Sequence, residues 1–196
     1  MRTIWIALVA AAMLLGGCQQ QRNVQDDMKM QTLQKTVGRD RLLHTFSQIT
    51  PPPMGKEMMD QPDDLLITWI KQVDDWTYRV LSSPVTGEMD TYAMREMRTH
   101  LMQIYSLEMA EKLIAGFYRY DPSSTTYKAN STRAMLNLRS EWGRYEVKKT
   151  QPAQDQYKIS LQGATDFDHA RSMMHHESVY QVKDNRLIIM EFKTKA

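Results

Sequence analysis

The spacing of apolar residues changes once along this chain, and that change limits what it can fold into. As far as about Tyr120 they recur at helical spacing, and beyond Tyr127 they recur at every second residue. A chain written this way builds helices first and an antiparallel sheet afterwards. The result is an α+β domain whose sheet lays its apolar face against the helices.

The strongest helix is expected from Asp63 to Leu81, where Leu66, Trp69, Ile70, Val73, Thr77 and Val80 form one stripe. Pro62 precedes it, and Asp63 and Asp64 place negative charge at the positive end of the helix dipole. Ser82-Ser83-Pro84 and Gly87 stop it. A second helix is expected from Met89 to Tyr105 on Ala93, Met97, Leu101 and Ile104. A third runs from Leu107 to Tyr120, with Ser106 as N-cap and Ala110, Leu113, Ile114 and Phe117 as its buried stripe. Met28 to Leu43 is helix-forming but ragged, anchored by Leu33, Val37 and Leu42, and Pro51-Pro52-Pro53 then stiffens the chain into an extended segment. The sixteen methionines read as flexible gap-fillers of helix interfaces, Met97 among them.

Strands are expected at Trp142 to Lys149, Tyr157 to Leu161, Ser178 to Val182 and Arg186 to Phe192, with Ala134 to Leu138 as an additional one. Asp184-Asn185 joins the last pair, since both residues tolerate the positive φ of a type I′ turn. Gly163 to His169 is expected to be a loop or a single helical turn. The expected sheet is therefore antiparallel, curved and four- to five-stranded.

The N-terminus determines where such a domain would live. Arg2 precedes an apolar run, Ile4 to Leu15, whose twelve residues are too few for a bilayer core of about 30 Å. Leu15-Gly16-Gly17-Cys18 follows, holding the only cysteine, and it resembles the lipobox of bacterial lipoproteins. That resemblance implies lipidation: a diacylglyceryl group on the Cys18 thiol, then cleavage before Cys18. The expected location is extracytoplasmic, on the cell membrane. In a host with two membranes it would be the outer one, because Gln19 is not an acidic retention signal. Residues 1–17 are then a signal peptide, 18–60 a tether and N-terminal arm, and 61–196 a single α+β domain. Loss of Arg2 leaves 24 Lys+Arg against 23 Asp+Glu, which argues against a nucleic-acid partner. No thiol remains for a disulfide, so stability must come from the core.

The helix Ser106 to Tyr120, with Ala110-Glu111-Lys112-Leu113-Ile114 and Phe117-Tyr118, leads into strands and a C-terminal hairpin. This order resembles NTF2-like or cystatin-like extracytoplasmic lipoproteins of Firmicutes. The resemblance implies a curved sheet wrapped around a helical segment as a cone, and it implies no particular function.

The densest chemistry lies in Asp166, Asp168, His169, Met173, Met174, His175, His176 and Glu177. From this stretch, His169, His175, His176 and Glu177 are candidate metal ligands, since imidazole with carboxylate suits zinc and imidazole with thioether suits copper. A strand here would turn His175 and His176 to opposite faces. Tyr118, Tyr120, Trp142 and Tyr145 are candidates to line a ligand-binding mouth, although core packing explains them more simply. No catalytic motif appears, neither a Gly-x-Ser-x-Gly elbow nor a phosphate-cradling loop, so no catalytic residue is assigned. No cofactor is expected beyond the lipid. The preferred reading is a non-enzymatic binding or interaction module of the cell envelope, meeting an envelope protein or small ligand through the concave sheet face or through Trp69 and Trp76. The alternative is an extracytoplasmic metal-handling protein or enzyme built on residues 166–177.

Overall fold

In the computed structural model the residues described are 28, 38–83, 89–129, 142–167 and 170–195. The chain divides into two units, Met1–Arg41 and Leu42–Ala196, and the second carries the architecture that follows. Among the described residues four helices come first: α1 (38–47, of which 42–47 belong to this unit), α2 (Asp63–Leu81), α3 (Thr91–Leu101) and α4 (Leu107–Phe117). A short hairpin of β1 (Tyr118–Asp121) and β2 (Thr126–Ala129) follows, then a meander of β3 (Trp142–Ala153), β4 (Gln156–Phe167), β5 (Ala170–Lys183) and β6 (Arg186–Lys195). The meander is a four-stranded antiparallel sheet in the order β3-β4-β5-β6, and it is not strongly curled. The segment Ala134 to Leu138, expected as a further strand, lies outside the described residues.

Helix α2 is buried on more than the single stripe its sequence suggests, because Ile67, Asp74, Trp76 and Leu81 are covered as well. The additional cover is the preceding chain. The Trp69 indole N–H donates to the Pro53 carbonyl at 2.7 Å, and that of Trp76 donates to the Ile49 carbonyl at 3.2 Å. Past the prolines the chain runs beside β6, with Leu187 N–H bonded to Met54 O at 2.7 Å and Lys56 N–H bonded to Asn185 O at 3.1 Å. Leu42, Phe46, Ile49, Met54 and Met59 are consequently buried. Residues 42–60, read from the sequence as tether and arm, thus contribute side chains to the core of this unit.

Helix α3 begins on the Asp90 carboxylate, which accepts from Ala93 N–H at 2.9 Å, and it ends at Leu101, four residues short of its expected end. The reason is a competing set of bonds. Ile189 N–H bonds to Ile104 O at 2.8 Å and Ser106 N–H bonds to Ile189 O at 3.0 Å, which draws residues 104–106 onto the edge of β6. Ser106 then caps α4 through Met109 N–H at 3.2 Å. Helix α4 gives way at Tyr118, whose extended backbone opens the β1–β2 hairpin. That hairpin was not expected from the sequence, where residues 118–120 continue a helical pattern. Leu113, Ile114 and Phe117 are only partly buried, and Ala110 is fully so.

Asp184 and Asn185 take φ values of 52° and 60°, the backbone a type I′ turn requires. Strand β4 runs to Phe167, so Gly163 to Phe167 is strand and not the expected loop. Ile159 and Leu161 of β4, Met174, His176, Ser178 and Tyr180 of β5, and Leu187, Ile189 and Phe192 of β6 turn to the buried face. Ile189 and Phe192 are three apart, which strict alternation forbids. A register shift opposite Val179 and Tyr180 restores both to the same face. The helices and the 42–60 segment cover this face directly, so it needs no strong curl to be buried.

Met97 is fully buried on α3. Met97→Ala is expected to lower stability by about 2–5 kcal/mol through the cavity it leaves, and Met97→Leu by under about 1.5 kcal/mol. Thermal unfolding of the two variants checks this, and equal losses would show that the site is not a packing position.

Candidate functional site

Strand β5 lies inside the sheet between β4 and β6, and it divides the candidate residues between two faces. His175 and Glu177 face outward. Met174, His176, Ser178 and Tyr180 face the core. The period of two that builds the strand therefore separates His175 from His176 and keeps them from converging on one ion.

On the outer face, His175 Nε2 lies 3.5 Å from Glu177 Oε1, and Lys158 Nζ reaches the same oxygen at 3.0 Å. Lys158 is the main reason the Glu177 carboxyl is held below its ordinary range, with His175 adding to it. An ammonium already occupies the oxygen a cation would use. Among the described residues no three His, Cys, Asp or Glu side chains are grouped to hold a metal. Asp168 and His169 lie outside the described residues, as does the side chain of Asp166. Met173 is exposed and Met174 buried, so the two thioethers are also divided between the faces.

On the inner face, His176 is fully buried, with Nδ1 3.0 Å from Thr194 Oγ1 and its ring edge-on to Phe192 at 4.6 Å. Burial, with a smaller push from the neighbouring His175 and against the pull of Glu177, brings its pKa down to about 3. Its Nε2 has no protein hydrogen-bond partner among the described residues. A side-chain hydrogen bond with Ser178 offsets part of the upward push that burial gives the Tyr180 phenol. Across the interface, Thr77 Oγ1 donates to Val73 O and shares a 2.7 Å hydrogen bond with Tyr105 OH. Burial raises the Tyr105 pKa, helped by Asp74 and Tyr180, and Trp69 leans on Tyr180 with centroids 5.5 Å apart. Asp74 is buried too, so Asp74 and Thr77 of α2, Tyr105, and Tyr180 of β5 form a polar seam within an apolar core. A buried polar group left unbonded costs about 1–3 kcal/mol. Ser178 Oγ and His176 Nε2 are not bonded to each other, so they form no nucleophile and base pair.

Sequence reasoning missed this seam because it sought apolar residues at alternate positions. The signal was the polar set 176, 178 and 180, which keeps that same period inside an otherwise apolar sheet.

The tyrosines among the aromatic candidates differ in exposure. Tyr118 is buried and its hydroxyl donates to Leu81 O at 2.5 Å, whereas Tyr120 is exposed and rests on Tyr127 at 5.1 Å. Tyr145 is exposed on β3, and Trp142 is described for its backbone alone. Trp69 and Trp76 lie under residues 49–53 and present no free face. His100 fills a stack between Phe46 at 4.8 Å and Trp76 at 5.5 Å, which the sequence did not suggest.

Compared with known protein families, with curated proteins and with solved structures, the chain gives no match.

The burial of His176 has a consequence for acid stability. Its folded pKa lies below its ordinary 6.5, so the unfolded chain binds the extra proton first as pH falls. Stability is therefore complete above about pH 6.5 and falls by about 1.4 kcal/mol per pH unit below it, or about 3 kcal/mol by pH 4. Urea unfolding of His176→Leu should show a drop between pH 7 and pH 4 smaller than wild type by about that amount. Identical drops would mean that His176 is not held neutral in the fold.

Proposed function

We propose that this chain is a lipid-anchored extracytoplasmic protein whose unit Leu42–Ala196 is a non-enzymatic interaction module of the cell envelope. The observation that carries the proposal is Leu15-Gly16-Gly17-Cys18 behind Arg2 and the apolar run Ile4 to Leu15. A diacylglyceryl group supplies two acyl chains, and at about 0.8 kcal/mol per buried CH₂ it holds a protein on a membrane stably, where one chain does not. No helix among the described residues is long and apolar enough to cross a membrane. The anchor at Cys18 is the proposed means of attachment.

Two surfaces are taken up by packing: the inner sheet face by the core, and the Trp69 and Trp76 face by residues 49–53. The outward face of the meander remains as the proposed contact surface. There Lys158, Gln162, His175, Glu177, Glu191 and Lys193 offer charges and hydrogen-bonding groups to an envelope protein or small ligand. Helix α4 followed by the meander also supports kinship with cystatin-like or NTF2-like domains, proposed here without the cone. The alternative, a metal-handling protein, draws its support from the His175–Glu177 approach at 3.5 Å.

Cys18→Ala is expected to move the protein from the membrane fraction to the soluble fraction and to abolish a lipid-sized increment in its mass. Unchanged membrane association, with no lipid mass on the wild-type protein, would defeat the anchored reading. Stoichiometric zinc or copper lost in His175→Ala would favour the alternative.

A further inference from the structure

We infer that Lys149 guards the β3 edge of the sheet against pairing with a second copy of this chain. The two edges of the meander differ. The β6 edge is bonded along part of its length to residues of its own unit, through the Gly55–Arg186 and Tyr105–Ile189 bridges. The β3 edge has no strand beside it among the described residues. Tyr145, Glu146, Lys148, Lys149, Thr150 and Gln151 are all exposed, so side chains on both faces of β3 reach water. An open edge offers its N–H and C=O groups to any extended chain. A second copy always carries the same edge, and antiparallel pairing of two β3 strands would satisfy both.

Lys149 stands where the strand pattern asks for an apolar residue. Directly opposed residues of an antiparallel pair share a face. Val147 is paired with Leu161 and Lys149 with Ile159, and both β4 residues are buried, so Val147 and Lys149 are on the inner face. Val147 packs in part against the core. Lys149 instead donates from Nζ to the carbonyl of Met59, in the short 3₁₀ helix Lys56–Asp60. A strand added beside β3 would set an inner-face side chain about 5 Å from the Lys149 Cβ and close water off from the ammonium. One carbonyl does not replace the hydration of a full charge, so this pairing is disfavoured while the charge is there. Lys148, paired with Ser160, is on the outer face, where an added strand leaves its ammonium in water. The obstruction therefore belongs to Lys149 and not to its neighbour.

The test is light scattering after size-exclusion chromatography, with hydrogen exchange read by mass spectrometry, on the full chain in mild detergent. Wild type is compared with Lys149→Gln, Lys149→Val and Lys148→Gln. Wild type and Lys148→Gln are expected at the monomer mass. Both Lys149 variants are expected at twice that mass or more, rising with concentration, with slowed exchange of the amides of residues 145–151. The inference is overturned if the Lys149 variants stay monomeric, or if wild type already pairs through β3. Equal association of Lys148→Gln overturns it too, because net charge and not the inner-face position would then decide. So does association that leaves exchange at 145–151 unchanged. Gln at 149 keeps a donor for the Met59 carbonyl while removing the charge, so that variant decides alone should Lys149→Val fail to fold.

Discussion

Helix α2 must be covered on two sides at once, and much of the unit Leu42–Ala196 follows from that requirement. One side meets β5 through Trp69 on Tyr180, and another meets the chain that precedes it, where two indole N–H groups need acceptors. The carbonyls of Ile49 and Pro53 supply them. Prolines suit that task, because they hold the chain extended and lack the N–H that would otherwise need a partner of its own. The same segment then bonds to β6 and protects part of a sheet edge that would otherwise invite another strand.

This arrangement constrains function by using up surfaces. A sheet packed flat against helices has no cone to fill, and indoles sealed beneath a segment of their own chain are not available to a partner. The polar seam adds a cost that apolar packing would avoid, since its hydroxyls and the Asp74 carboxyl must leave water on folding. Buried polar groups restrict how α2 and the sheet register against each other, because a slip would leave more of them unsatisfied.

The helices and strands were legible where one interaction decided them. Helix α2 has the bounds its stripe and its acidic first turn indicate, and the Asp184-Asn185 turn has the backbone its residues allow. The sequence misled where long-range bonds competed with local preference. Residues 104–106 look helical but are drawn onto β6, and residues 118–120 continue a helical pattern but pair with 126–129. The role of residues 42–60 was hidden because their acceptors are carbonyls, which every residue has. The split of His175 from His176 followed from strand alternation alone. The inward set His176, Ser178 and Tyr180 was overlooked because the pattern sought was hydrophobic.

The claim that the outward sheet face meets the partner is tested most directly by photo-crosslinking in intact cells. A photoreactive residue would replace Gln162 on that face, with Lys112 on exposed α4 as the comparison site. A discrete adduct from position 162, with none from 112, is the predicted result. Adducts from position 112 alone would contradict it and place the contact on the helical side.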